Sequence, residues 1–365
     1  MRKSLLVLLV VLLTAALVFT GCSQNAPSSE SSSGAQDTAK TSASADQSSG
    51  TGEAGGYVIG FSNFSVGNSW RVQMEAEFKA AADSLKAQGV ISEYIMTDSN
   101  GDISKQIADM NDLITKGVDA IIITAASPSA LSAVCEQAID EGIVVVSFDN
   151  YVDTDKVTAK VGIDEKEFGR TGAQFIVDQL NGQGKIVVLN GMAGTGTNQL
   201  RYDGAKEVFD ANPGIEILGE AFADWDYAKG KTAVEGFLSA YPQIDAVWSQ
   251  GGAMTQAAVD AFVAAERPLV PMAAEANNGM LKEWKQYADQ GLTSIAPCCP
   301  TYVSASALEV AIQALKGETV EKTTYIELPV ITQDNLDEYV KPDLPDSYWN
   351  ITKLSDEQVA ELFSK

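Results

Sequence analysis

The amino-acid sequence predicts an α/β protein with two doubly wound, parallel-sheet domains joined by a hinge. From residue 57 onward, short apolar runs rich in β-branched residues alternate with longer segments of helical spacing. The apolar runs are continuous rather than alternating, which is typical of parallel strands that helices cover on both faces. Two such series follow one another, and each is long enough for one sheet.

The first series occupies residues 57–160. Its predicted strands are YVIGFS (57–62), EYIMT (93–97), DAIIIT (119–124) and IVVVSF (143–148). Its predicted helices are residues 70–88, 103–116 and 129–140. We expect the chain to return at about residues 297–323 and to complete this first lobe.

The second series occupies residues 161–296. Its predicted strands are KIVVLN (185–190), IEILGE (215–220), IDAVWS (244–249), LVPMAA (269–274) and LTSIA (292–296). We expect residues of about 324–335 to complete this second lobe. Residues 336–365 then form a C-terminal extension, which we expect to pack on the body of the protein.

The N-terminal residues 1–21 have the layout of a signal peptide. Two cations at positions 2 and 3 precede an apolar run over residues 5–19, which is too short for a spanning helix of roughly 20 residues. The run ends in FTGC, which resembles the bacterial lipobox, so we expect lipidation of Cys22. The alternative is an ordinary signal peptide with a chance cysteine. Residues 22–56 are mostly small and polar, which predicts a disordered tether.

Charge and composition restrict the partners and the chemistry. The chain carries 25 Lys and Arg residues against 49 Asp and Glu residues, and its net charge of -24 repels phosphate backbones, so no nucleic-acid partner is expected. It has no histidine, which removes Ser-His-Asp triads, Cys-His pairs and imidazole metal sites. We therefore predict neither an enzyme nor a cofactor or metal site. The adjacent Cys298 and Cys299 are compatible with two thiols or with a strained disulfide.

Polar residues follow several of the predicted strands. Asp149 and Asn150 end the apolar run at residues 143–148, Gln250 follows VWS, and Glu275 follows VPMAA. In parallel α/β sheets, ligands bind beyond the carboxyl ends of the strands. Helix capping explains each residue alone, but their repetition predicts a ligand cleft.

Several segments in order resemble the type I periplasmic sugar-binding proteins, such as the ribose-, galactose- and xylose-binding proteins. They are IGFSNFSVGNSW (59–70), AIDEGIVVVSFDN (138–150), ADWDYAKG (223–230) and PQIDAVWSQ (242–250). The resemblance implies a type I periplasmic binding protein fold and a monomer that delivers a sugar-like ligand to an ABC transporter permease by hinge closure. With the lipobox, it implies the Gram-positive form, anchored through Cys22 to the extracellular face of the cell membrane, or a periplasmic location if the cell has two membranes. The alternative is a ligand-sensing lipoprotein of the same fold that feeds a membrane kinase or chemoreceptor.

The resemblance also implies roles for individual residues. Asn68 matches an asparagine of the first strand–helix loop, and Trp70 matches an aromatic residue that stacks on the sugar ring. Asp149 matches an aspartate that accepts two sugar hydroxyls, and Arg201 matches an arginine that bridges to the ligand. Trp225 matches the aromatic residue on the opposite wall.

Other positions depart from the family pattern. Arg71 occupies the next aromatic position, Asn150 replaces an arginine, and Glu275 stands where most members have aspartate. Where ribose-type proteins have Asn-Asp after Gln250, this chain has two glycines at positions 251 and 252. We therefore expect a ligand other than free ribose, and a larger, a differently hydroxylated and a partly anionic ligand are the alternatives. The full predicted ligand site is Asn68, Trp70, Arg71, Asp149, Asn150, Arg201, Trp225, Gln250 and Glu275.

Overall fold

The computed structural model describes residues 55–364. The predicted signal peptide, the lipidation site Cys22 and almost all of the predicted tether lie outside the described residues. Within residues 55–364, no helix combines the length and the apolar character that a bilayer crossing requires.

Strands and helices alternate along most of the described chain. The strands are β1 Tyr57–Asn63, β2 Ile91–Asp98, β3 Ala120–Ile123, β4 Val144–Phe148, β5 Ala159–Gly162, β6 Gly184–Asn190, β7 Ile215–Phe222, β8 Ala246–Ser249, β9 Met272–Ala273, β10 Ser294–Pro297, β11 Thr323–Tyr325 and β12 Val330–Ile331. The helices are α1 Ser69–Ala87, α2 Ile103–Thr115, α3 Ser132–Asp140, α4 Glu165–Gln179, α5 Gly196–Ala211, α6 Tyr227–Ala240, α7 Gly252–Ala264, α8 Asn278–Tyr287, α9 Val303–Leu315, α10 Leu336–Tyr339 and α11 Asp356–Phe363.

The strands form two six-stranded sheets. The first has the order β11-β5-β4-β3-β1-β2, and its pairs are parallel. The second has the order β12-β10-β9-β8-β6-β7, and it is parallel except for the antiparallel pair of β10 and β12. The predicted class, two α/β units with parallel sheets, is confirmed.

The chain passes between the two sheets at points that differ slightly from the predicted boundaries. β5 belongs to the first sheet, so the predicted boundary at residue 160 falls inside a strand and the first lobe extends through Gly162. β11 also belongs to the first sheet, so the predicted change of lobe at residue 324 lies after Tyr325. Both strands are short and contain polar residues (AKVG and TTY), so they lack the apolar run by which the longer strands were predicted.

Helices cover both faces of each sheet, as the continuous apolar runs indicate. All four residues of β3 are buried, and so are all four of β8. In the first lobe, Phe61 packs against Phe78 and Phe148, with ring centroids 4.2 and 5.7 Å apart. α9 belongs to this core because Val303, Ala307 and other residues of its buried face pack with β3 and β4. These cores fix the strand ends from which the polar residues project.

The C-terminal extension packs on both lobes: Leu336 and Val340 join the apolar core of the second lobe, and the chain ends in α11 beside the first lobe. The backbone N–H of Gln358 donates to the hydroxyl of Ser355, and the N–H of Ser355 donates to Gln358 Oε1, which together form a capping box. Leu354 and Val359 form a small apolar cluster with Ala76 and Ala80 of α1.

Candidate functional site

A cavity lies between the two lobes, with an empty volume of about 410 Å³ that includes its mouth. From the first lobe it is lined by Asn68, Trp70, Arg71, Asp149 and Asn150. From the second lobe it is lined by Thr197, Arg201, Trp225 and Glu275, and from the C-terminal extension by Trp349. The structure therefore brings eight of the nine predicted site residues to one cavity.

Arg71 and Asp149 form a buried ion pair on the first wall. The backbone N–H of Arg71 donates to the side chain of Asn68, which caps α1. From there the Arg71 Nη2 donates to Asp149 Oδ2 at 2.6 Å, and its guanidinium lies 4.0 Å from the ring centroid of Phe64. Arg71 Nη1 is buried and has no hydrogen-bond partner within residues 55–364. A buried donor without a partner is costly, so this nitrogen is available to an acceptor on a ligand.

The carboxylate of Asp149 is only partly occupied by the protein. Arg71, Thr124 and Asn150 donate to its Oδ2, at 2.6, 3.2 and 3.1 Å. Within the described part of the chain, no side chain or backbone group donates to its Oδ1. One oxygen of the residue is therefore held in place while the other remains free to accept a hydrogen bond.

Trp225 forms the opposite wall in a strained backbone conformation. Its φ of 55° and that of Asp224, 54°, lie in the left-handed region, which costs a residue other than glycine about 1–3 kcal/mol. The indole Nε1 donates to the carbonyl of Gln250 at 3.2 Å. A Cβ atom at Gly191 would lie 2.2 Å from the Trp225 ring, and one at Gly251 would lie 2.6 Å from it. The glycine at 251 therefore makes room for the indole, besides lacking a hydrogen-bonding side chain.

Arg201 joins two buried carboxylates behind the cavity. Its Nε donates to Glu165 Oε2 at 2.6 Å, its Nη2 to Glu275 Oε1 at 3.3 Å, and its Nη1 to the carbonyl of Gln250 at 2.8 Å. The guanidinium also stacks 3.7 Å from the ring centroid of Phe168. All three guanidinium nitrogens of Arg201 therefore have protein acceptors, which fixes the orientation of its planar fork at the cavity wall.

Burial controls the charge of this cluster. It raises the pKa of Glu165 to about 7, although Arg201 opposes the shift. Burial also raises the pKa of Glu275, again against Arg201. Glu165 is the first residue of α4 and was not predicted, because its sequence position shows only an acidic residue in a first helical turn, which is common without any site.

Asn150 and Thr197 connect the two lobes directly. The backbone N–H of Thr197 donates to Asn150 Oδ1 at 3.1 Å, and its hydroxyl donates to the carbonyl of Asp149 at 3.3 Å. Thr197 lies in the first turn of α5, so the amino end of a second-lobe helix meets the end of β4. The structure therefore has its lobes in contact at the cavity.

Gln250 is the one predicted residue that does not line the cavity. Its side chain is buried and donates to Asn190 Oδ1 at 2.9 Å and to the carbonyl of Asn198 at 3.2 Å. Its position after β8 suggested a ligand contact, but its amide turns into the second lobe. Its carbonyl still matters, because it accepts hydrogen bonds from both Trp225 and Arg201.

Asp149, Glu165 and Cys299 bring potential metal-ligand atoms within 4.8 Å of one another. Each carboxylate already pairs with an arginine. Burial raises the pKa of the Cys299 thiol well above its usual value, so the thiol stays protonated. A cation would therefore compete with two guanidinium groups for the carboxylates and would find a neutral thiol as its third ligand. In the described part of the chain, Cys298 and Cys299 are free thiols, which is the first of the two alternatives left open.

Two lining residues were not predicted, Thr197 and Trp349. Thr197 sits in a glycine-rich loop-to-helix segment whose composition indicates only a flexible turn. Trp349 lies in the polar, proline-containing stretch DSYWN of the C-terminal extension. An isolated tryptophan among polar residues is the one signal in that stretch that could have drawn attention to it.

These features define a two-lobed α/β binding protein whose ligand cavity is enclosed between paired parallel sheets. The chain belongs to the family of proteins with a periplasmic binding protein domain, and the family match spans residues 59–319.

Curated relatives and solved structures have related ligands. The chain is 29% identical over 285 residues to the ribose import binding protein of Bacillus subtilis, covering 78% of this chain and 90% of that protein. It is 28% identical over 246 residues to the xylitol-binding protein of Mycolicibacterium smegmatis, covering 67% and 70%. The arabinose-transporter binding protein of Shewanella sp. ANA-3, solved with L-arabinofuranose, superposes with a TM-score of 0.69 at 26% identity and covers 77% of this chain and 93% of that one.

Proposed function

We propose that this protein captures a small neutral carbohydrate or polyol in the cavity between its lobes and delivers it to an ABC importer. The proposal is based on one observation: a single cavity has tryptophan side chains in its walls together with buried, oriented charged side chains. Sugars present apolar C–H faces, which pack on aromatic rings, and hydroxyl groups, which hydrogen-bond best to charged partners. Trp70 and Trp225 offer the first kind of contact, while Arg71 and Asp149 offer the second.

The charge arrangement favours a neutral ligand over a sugar acid. The guanidinium groups of Arg71 and Arg201 are opposed by the carboxyl groups of Asp149, Glu165 and Glu275. Among the described side chains around the cavity, no cation is left without an anionic partner. An anionic ligand would have to displace one of these carboxylates or share an arginine with it, whereas a hydroxyl group can both donate and accept.

The relatives support the same class of ligand. Their names and titles include ribose, xylitol and L-arabinofuranose, which share several adjacent hydroxyl groups and carry no charge. The chain has glycine at 251 and 252 after Gln250, so the hydroxyl contacts differ from those of ribose-type proteins. We therefore propose that free ribose is not its best ligand.

Capture would proceed by closure of the lobes about the segments that connect them. The hydrogen bond between Thr197 and Asn150 joins the two lobes at the cavity, and it would break if the lobes separated there. Small-angle scattering would give a smaller radius of gyration with ligand than without it. Identical scattering curves with and without a saturating ligand would contradict closure.

The location rests on the sequence of the N-terminal residues. We propose that Cys22 carries a lipid, that the monomeric protein is anchored to the outer face of the cell membrane, and that residues 22–56 tether it there. Cys22→Ala would release the protein into the medium and abolish labelling with a radioactive fatty acid. Persistent labelling of the Cys22→Ala variant would show that the lipobox interpretation is wrong.

A calorimetric titration tests the ligand class. The probes are D-ribose, L-arabinose, D-allose, xylitol and myo-inositol, with D-glucuronate as the charged comparison. At least one neutral probe is expected to bind with a dissociation constant in the micromolar range or below, which corresponds to about -8 kcal/mol. Binding of the acid alone, or of none of the six, would contradict the proposal.

A further inference from the structure

The C-terminal extension contains a segment, residues 340–354, that contacts both lobes; we call it the C-terminal strap. On the first lobe, the side chain of Gln73 in α1 holds the backbone of Trp349 at both polar atoms. Gln73 Nε2 donates to the Trp349 carbonyl at 2.9 Å, and the Trp349 N–H donates to Gln73 Oε1 at 3.0 Å. The indole Nε1 of Trp349 donates to the hydroxyl of Ser69 at 3.0 Å.

The strap is held equally firmly by the second lobe. Asn278, the first residue of α8, donates from its backbone to the carbonyl of Tyr348 at 2.8 Å. Its side-chain Nδ2 lies 2.9, 3.0 and 3.1 Å from the carbonyls of Lys341, Leu344 and Pro345. Asn277 and Trp349 also form an isolated antiparallel bridge. The peptide unit of Trp349 is therefore fixed between α1 and α8.

This anchoring gives Trp349 a defined place in the cavity wall. The residue is 7% exposed, and its ring packs with the core of the first lobe while it lines the cavity. A side chain that is already ordered loses little further entropy when a ligand packs against it. Trp349 comes from a part of the chain beyond the family match at residues 59–319. Trp70, Trp225 and Trp349 thus reach one cavity from three separate segments.

We propose that Trp349 is a ligand-contacting residue that determines specificity, and that the C-terminal strap exists in part to present it. Its indole would pack on the apolar C–H face of the bound carbohydrate or polyol, as a third aromatic wall. The proposal rests on the proposed function, because it assumes a ligand with such a face. Gln73 is then a positioning residue, since it touches Trp349 and does not line the cavity.

The test uses the full-length protein and measures dissociation constants by calorimetry for D-ribose, L-arabinose, D-allose, xylitol and myo-inositol. Trp349→Leu keeps part of the apolar volume that the core needs but removes the aromatic face. It is expected to weaken the tightest of these probes by at least about tenfold, which is 1.4 kcal/mol. Trp349→Phe retains an aromatic face and is expected to stay within about threefold of the wild type.

Val359→Ala provides the matched control. Val359 lies in α11, beyond the strap, and it packs in the cluster that contains Ala76 and Ala80, away from the cavity. This variant is expected to lower the melting temperature while leaving the dissociation constants within about threefold of wild type. If Trp349→Leu binds the probes as tightly as the wild type does, the role proposed for Trp349 is wrong, while the proposed function of the protein is unaffected. If the wild type binds none of the five probes, the carbohydrate assignment fails, and the role of Trp349 fails with it.

Discussion

Arg71 and Asp149 lie 78 positions apart in the sequence, yet their side chains form an ion pair of 2.6 Å that is almost fully buried. The arginine comes from the first turn of α1, and the aspartate follows the last residue of β4. Both positions face the carboxyl edge of the first sheet. The pair places an unpartnered guanidinium nitrogen beside a half-occupied carboxylate, so one wall offers both a donor and an acceptor to a hydroxyl group.

We predict that Asp149→Ala abolishes ligand binding and destabilises the fold. Removal of one member of a buried pair leaves Arg71 uncompensated and costs about 3 kcal/mol or more in the free energy of unfolding. Chemical denaturation measures the loss. Asp155→Ala is the control, because Asp155 is fully exposed and pairs with Lys160 only at 3.9 Å; it should change stability by less than about 0.5 kcal/mol. If Asp149→Ala and Asp155→Ala lower the free energy of unfolding equally, burial of the Arg71–Asp149 pair is not what makes it stabilising.

We predict that Arg201→Lys weakens ligand binding and lowers stability, although it keeps the positive charge. The planar fork of Arg201 reaches Glu165, Glu275 and the carbonyl of Gln250, whereas an ammonium group cannot reach three acceptors in those directions. We expect the affinity to fall by at least about tenfold and the melting temperature by several degrees. Arg170→Lys, at an exposed pair with Glu207, should leave both quantities nearly unchanged. A wild-type affinity in Arg201→Lys would show that the fork is not required.

The stability should depend on pH in a direction set by Glu165. Its pKa of about 7 in the folded protein lies above the ordinary value of 4.5, so the folded state binds more protons than the unfolded state between these values. The free energy of unfolding therefore falls as the pH rises from about 4.5 to about 7. Melting temperatures across this range should decline less steeply in Glu165→Gln. Some slope should remain, because the pKa of Glu283 is also raised to about 7 by burial. An unchanged slope would contradict the role of Glu165.

Gly251→Asn should damage the site although it restores a residue found in ribose-type proteins. Its Cβ would lie 2.6 Å from Cδ1 of Trp225, so the indole must move. We expect loss of ligand affinity of at least about tenfold and a lower melting temperature. The control is Gly236→Ala: Gly236 lies inside α6, and a Cβ atom added there would have no neighbour within 4 Å. This substitution should stabilise the fold by about 0.5–1 kcal/mol. A gain of ribose binding in Gly251→Asn would contradict this explanation of the glycine.

Strand ends could be predicted from the sequence because burial and polarity change abruptly there. The run ending in Asp149 and the loop carrying Trp225 both led to residues that line the cavity. The same reasoning also predicted Gln250 as a site residue. Its position after a strand does not determine the direction of its side chain, however, and its amide donates to Asn190 and Asn198 instead. Glu165 and Trp349 could not be predicted, because their roles arise only when distant segments meet at the cavity.

The C-terminal strap also affects the mechanics of the molecule. It passes beside the segment that leads from β10 in the second lobe to α9 in the first, where the N–H of Thr301 donates to the carbonyl of Ile351 at 3.2 Å. It also holds the amino ends of α1 and α8 together. A large separation of those two helix ends would break the hydrogen bonds of Gln73 or those of Asn278. We therefore expect the lobes to pivot about an axis close to the strap and to open through a narrower angle than a hinge made of the crossing segments alone. A narrow opening would admit small solutes and would exclude bulky oligosaccharides before they contact the walls of the cavity.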